Sequence, residues 1–203
     1  TISPVHTIDG FVAFAKQLKD IGADSICVKD MAGILAPTAA SELVSRLVSD
    51  VGLPVQVHSH YTSGMASMAY LKAIEAGASV VDCATSSVAL GSSQPASESM
   101  VVALTGTEFD TNIDVRRIRP AAYILKQIID ETPEYSGLIG PLQVSTDVLT
   151  YQIPGGMISN LRAQLKQMGA ENRIEEILAE VPRVRQELGY PPLVTPMSQI
   201  VGT

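Results

Sequence analysis

Apolar side chains at Phe11, Phe14, Ala15, Leu18 and Ile21 recur at three- and four-residue steps, and Gly22 follows them. The spacing predicts an amphipathic helix over residues 8–21, stopped by a glycine. Residues 25–30 then read as a short buried strand, Ile26, Cys27 and Val28 closing on Lys29 and Asp30. Thr38 offers a cap for a second helix carrying Leu43, Val44, Leu47 and Val48, which ends near Gly52 and hands over to a strand over residues 54–58. A third helix, with Met65, Met68, Leu71 and Ile74 on its core face, stops at Gly77, and residues 79–83 form the next strand. The two helix-to-strand junctions, Gly22-Ala-Asp-Ser-Ile-Cys and Gly77-Ala-Ser-Val-Val-Asp, are alike. Short apolar strands joined by amphipathic helices need parallel pairing through right-handed crossovers, so the class is α/β, a doubly wound sheet or a barrel. After about residue 105 the strand signals stop, and helices are expected over residues 113–129, 159–168, 174–179 and 182–188, with 137–156 as a Gly- and Pro-punctuated loop.

Composition narrows the class of function. With 203 residues, 46% hydrophobic and 17% charged, the chain suits one core or part of a larger domain and excludes disorder. Fourteen basic against 21 acidic residues leave a formal charge of −7, so no basic surface is expected for nucleic acid. Mean hydropathy is +0.22, yet the apolar runs fall short of the roughly 18–20 residues of a membrane span. Two well-separated cysteines suit a reducing compartment, and no leader pattern stands at the amino end, so a cytoplasmic protein is expected.

Candidate chemistry collects where parallel sheets place it, at the carboxyl ends of the strands. The first strand closes with Lys29-Asp-Met-Ala-Gly33, the second with His58-Ser-His60 and the third with Asp82-Cys-Ala84. Residues two apart on a strand share a face about 7 Å apart at the backbone, so His58 and His60 are candidates to clamp one divalent ion such as zinc, manganese or cobalt; a pair of pocket histidines is the plainer possibility. Lys29, expected to point into a crowded site, is a candidate neutral amine able to act as nucleophile, base or acceptor of carbon dioxide; an ion pair with an acid is the alternative. Asp30 is expected to orient Lys29 or cap the following loop. Cys27 and Cys83 read as small buried hydrophobes, and Met65 and Met68 as core.

Several ordered motifs together carry a more specific resemblance. Cys27-Val-Lys-Asp-Met-Ala-Gly33, Val57-His-Ser-His-Tyr-Thr-Ser-Gly64, Ser93-Gln-Pro95, Ile153-Pro-Gly-Gly-Met157 and Leu193-Val-Thr-Pro196 with Ile200-Val-Gly202 resemble the carboxyltransferase domain of biotin-dependent enzymes: pyruvate carboxylase, the oxaloacetate decarboxylase alpha subunit and the transcarboxylase subunit. The resemblance covers essentially the whole chain. It implies the second half of a (β/α)8 TIM barrel over residues 1–105, with residues 1–3 as the tail of its fifth strand, and a helical funnel over 106–203. It further implies a carbamylated Lys29 that binds a divalent metal with His58 and His60, a fourth ligand from a missing N-terminal half-barrel, Thr195 as the proton carrier between biotin and the 2-oxo acid, and Ser198 near biotin. Gln199 stands where pyruvate carboxylases often carry lysine, and Tyr61 where they often carry an acid.

The implied function is carboxyl transfer between carboxybiotin, borne on a separate carrier domain or subunit, and pyruvate or oxaloacetate, through an enolate whose charge the metal offsets. Neither direction of reaction is selected, and a homo-oligomer is expected. Half a barrel leaves unpaired edges and half a pocket, so the segment is expected to be inactive alone. The alternatives are a related metal-dependent barrel that acts on 2-oxo acids without biotin, as a synthase or lyase, and a purely structural assembly half.

Overall fold

The structure is a computed structural model that describes residues 3–136, 143–151, 153, 155–194 and 197–202. Three β/α units alternate at its start: α1 (Ile8–Asp20), β1 (Ile26–Asp30), α2 (Pro37–Asp50), β2 (Val55–Ser59), α3 (Ala66–Glu75) and β3 (Val80–Val81). The strands pair in parallel in the order β1-β2-β3, as the α/β pattern requires. Lys29 stands opposite His58 in this register, and Gln56 opposite Val80. Gly22 and Gly77, with φ of +98° and +101°, turn the chain from helix to strand in a conformation that disfavours any side chain.

One face of the sheet is covered by helices and the other is open. Val55, Val57 and Ser59 of β2 are buried, while Gln56 and His58 between them are half-buried. The helix side carries the main core, in which Ala40, Val44, Val57, Ala69, Tyr70 and Ala73 are fully enclosed. Small alanines let α2 and α3 lie close to each other and to β2, which explains why Ala66, Ala69 and Ala73 are among the buried positions of α3. Met68 is correspondingly turned outward, 54% exposed, and is not a core residue. Cys27 is also exposed, because it falls on the open face of β1, contrary to the expectation of burial.

Other expectations shift in detail. Ser3 bridges to His6 instead of pairing with β1, and residues 1 and 2 lie outside the described residues. Pro37, not Thr38, opens α2, supplying a preset φ where no N–H partner is needed. A short helix that the apolar pattern does not predict, α4 (Ser97–Leu104), follows β3 and buries Met100, Val101 and Leu104.

The remaining chain is helical: α5 (Val115–Glu131), α6 (Pro133–Ser136), α7 (Asp147–Tyr151), α8 (Gly155–Gln167), α9 (Ile174–Glu187) and α10 (Met197–Gly202). A second core joins Ile153, Met157, Leu161 and Leu165 to Ile174, Leu178 and Val181. The two helices expected over 174–188 are one, α9, which runs through Pro182 because Ile174, Leu178, Val181 and Arg185 keep a continuous buried stripe. Residues 137–142 of the expected loop lie outside the described residues, whereas α7 occupies part of it. No described helix is long and apolar enough to cross a membrane.

Candidate metal centre

The carboxyl ends of the strands are held by a small set of buried polar contacts. Asp30, the last residue of β1, accepts from the N–H groups of Gly33 at 3.0 Å and Leu35 at 2.8 Å, and from the Ser59 hydroxyl at 2.8 Å. It therefore caps the loop after β1 and ties it to β2. The His60 N–H donates to the Asp30 carbonyl at 3.1 Å. Gly33 lies so near this peptide that a Cβ there would collide with the His60 carbonyl oxygen, and its φ is +69°. Ser63 Oγ donates to the Gly33 carbonyl. On the other side of β2, the Tyr70 hydroxyl accepts from the Ser59 N–H at 2.8 Å and donates to the Asp82 carbonyl at 2.7 Å.

These contacts aim two imidazoles at one point. His58 Nδ1 lies 2.8 Å from Asp82 Oδ2, and His60 Nδ1 lies 2.5 Å from the Ser92 carbonyl oxygen. Each Nδ1 faces an acceptor and so carries the ring proton, which leaves the lone pair on Nε2. The two Nε2 atoms stand 3.3 Å apart. Two nitrogens bound to one tetrahedral ion at about 2.0–2.1 Å are separated by about 3.3–3.4 Å, so the pair fits a divalent ion. Burial is the main cause that holds the His60 pKa below its ordinary value, with the nearby His58 and Lys29 adding to it against the Ser92 carbonyl and Asp30. A neutral His60 is the form that ligates.

Gln94 Nε2 also approaches His58 Nε2, at 3.4 Å, from the loop after β3 that provides the Ser92 carbonyl. That loop turns through Leu90 and Gly91 at φ of 70° and 53°. Among the described residues no three His, Cys, Asp or Glu side chains converge as metal ligands. The nitrogen pair therefore needs oxygen donors of another kind or from elsewhere.

Lys29 sits on the same open face, one strand over from His58. It is exposed, not enclosed, so the burial expected to favour its neutral amine is not present in this chain. It forms no ion pair among the described residues, and Asp30, which points to the helix side, is not its partner. Cys83 is half-buried and its thiol is pushed up to about 11 by burial and Asp82, which leaves it inert as a nucleophile. Thr195 lies outside the described residues, as does the side chain of Ser198. Asp82 and Gln94 stand in motifs whose sequence assigns them no role, and Gln56 and Tyr70 stand out only once the strands are paired. The signal available for Gln56 is its place two residues before His58, on the same face.

The chain carries two histidines at the carboxyl edge of a parallel α/β sheet, and it belongs to the HMGL-like family, which it matches over residues 6–125. Residues 148–203 match a conserved carboxylase domain. A pyruvate carboxylase subunit of Methanocaldococcus jannaschii is 55% identical over 100% of this chain and 36% of that protein. The methylmalonyl-CoA carboxyltransferase 5S subunit of Propionibacterium freudenreichii is 46% identical over 100% of this chain and 40% of that protein. The carboxyl transferase domain of Rhizobium etli pyruvate carboxylase, solved with pyruvate and biocytin, superposes with a TM-score of 0.90 at 34% identity, over 98% of this chain and 33% of that one. The resemblance to carboxyltransferase domains therefore holds along the whole chain, while the chain spans little more than a third of these proteins. The relatives' names do not favour the synthase or lyase alternative.

Proposed function

We propose that this chain is part of a biotin-dependent carboxyltransferase that moves a carboxyl group between carboxybiotin and a 2-oxo acid, pyruvate or oxaloacetate. In this reading residues 1–105 form the second half of a (β/α)8 barrel, 106–203 a helical funnel, and a preceding half-barrel completes the pocket. The observation that carries it is the pair of Nε2 lone pairs 3.3 Å apart beside Lys29 on the open face of a parallel sheet. His58 and His60 would hold a divalent ion, zinc, manganese or cobalt, which when bound would supply Lewis acidity beside the 2-oxo acid. His58 and His60 give it neutral nitrogens. Lys29, its neutral amine adding to carbon dioxide with loss of one proton, gives a carbamate oxygen. Solvent access of Lys29 in this chain makes its enclosure a task for the other half-barrel. Thr195 carries the proton between the ureido nitrogen and the substrate carbon, and Ser198 contacts biotin on its carrier. A homo-oligomer in the cytoplasm belongs to the same proposal.

Lys29→Ala in the complete enzyme is expected to lose both bound metal, counted by elemental analysis, and carboxyl exchange. Full exchange activity in that variant rules out the carbamate. Thr195→Ala is expected to keep the metal and lose transfer; undiminished turnover removes Thr195 from the chemistry.

A further inference from the structure

Asp82 is engaged on three sides. Its Oδ2 lies 2.8 Å from His58 Nδ1, its Oδ1 accepts from Gln56 Nε2 at 2.7 Å, and its carbonyl accepts from the Tyr70 hydroxyl at 2.7 Å. Gln56 and His58 lie two apart on β2, and Asp82 follows β3, so the chain Gln56–Asp82–His58 runs across the open face of two strands. An imidazole in water exchanges between two tautomers, and only the one with its proton on Nδ1 presents Nε2 to an ion. A carboxylate at Nδ1 selects that tautomer, fixes the ring plane and makes the opposite nitrogen a stronger donor.

We propose that Asp82, held in place by Gln56, is a positioning residue for the ion site, acting through His58. This rests on the metal-centre reading above. Without the acceptor, the His58 ring is free to turn over and the Gln94 carboxamide, 3.4 Å from Nε2, is placed to hold it in unproductive orientations. Gln56 has a separate task. The amide donated to Oδ1 keeps the Asp82 carboxylate turned toward His58. His60 is served by a neutral carbonyl, that of Ser92, so the two imidazoles are held by unlike groups and Asp82 makes His58 the stronger donor.

The test uses cobalt(II) as the probe on the complete enzyme, with affinity from titration, the visible absorption of the bound ion as the spectroscopic readout and the thermal midpoint as the control for folding. Asp82→Leu is expected to weaken cobalt binding about 10–100-fold and to alter the absorption band, with the midpoint little changed. Asp82→Asn, which retains an acceptor, recovers part of the loss, and Gln56→Leu gives a smaller loss of the same kind. If Asp82→Leu does not fold, the Asn and Gln56 variants carry the comparison. Affinity and spectrum unchanged in all three while the wild type binds cobalt overturns the positioning role alone. A wild type that binds no cobalt overturns this role together with the metal-centre reading.

Discussion

Tyr70 shows how much one hydroxyl can hold. It is fully buried, and it joins the end of β2 to the end of β3 by accepting from Ser59 and donating to Asp82. Tyr70→Phe leaves the Ser59 N–H unpaired in the interior, and is expected to cost about 1–3 kcal/mol in denaturant unfolding. Burial pushes the Tyr70 phenol well above its ordinary value. The unfolded chain therefore loses this proton near pH 10 while the folded chain keeps it, so stability falls as pH rises past about 10. Thermal midpoints followed from about pH 8 to 11 should decline less steeply for Tyr70→Phe than for the wild type. Gly33 is decided by space as well as by its φ of +69°. Gly33→Ala is expected to displace the His60 peptide, destabilising the fold by about 1–3 kcal/mol and weakening cobalt binding. The sequence marks Gly33 only as a motif member; the crowding at His60 arises between residues far apart in the chain.

At the scale of elements, periodicity locates helices and strands better than it chooses their buried faces. The helical stretch from Met65 to Ile74 is largely α3, and Ile74 is buried as expected, but Ala66, Ala69, Tyr70 and Ala73 complete its buried face while Met68 and Leu71 are exposed. Hydrophobicity ranks large side chains first, whereas close approach to a strand favours small ones. Ala69→Leu should be overpacked by about 1–3 kcal/mol, read from the same unfolding curves. In α9 a proline suggests a boundary between two helices, but the buried stripe from Ile174 to Arg185 holds one helix across it. Pro182 is exposed, so Pro182→Ala removes a helix-interior penalty of up to about 3 kcal/mol without opening a cavity, and a raised thermal midpoint is expected.

For the whole molecule, the open face and edge of β1 are the main feature. A groove of about 410 Å³ runs between α1 and α2 along β1, lined by Phe11, Phe14, Cys27 and Leu43 among others. The proposed preceding half-barrel would cover it. Cys27 should then react with a thiol reagent in this chain and become shielded in the complete enzyme, a difference that mass-spectrometric labelling can read; equal labelling in both counts against that closure. The alternation of helices and strands from α1 to β3, the net acidity and the placing of Lys29, His58 and His60 at strand ends were legible in the sequence, because each follows from local periodicity and short spacing, whereas α4, α7 and the continuity of α9 across Pro182 were not. Only the tertiary structure decided that Lys29 stands beside His58, that the two Nε2 atoms meet at 3.3 Å, and that Asp82 serves His58. Those depend on strand register and on side chains meeting across long stretches of chain, and register is set by which faces the helices bury together, a property that no single segment carries.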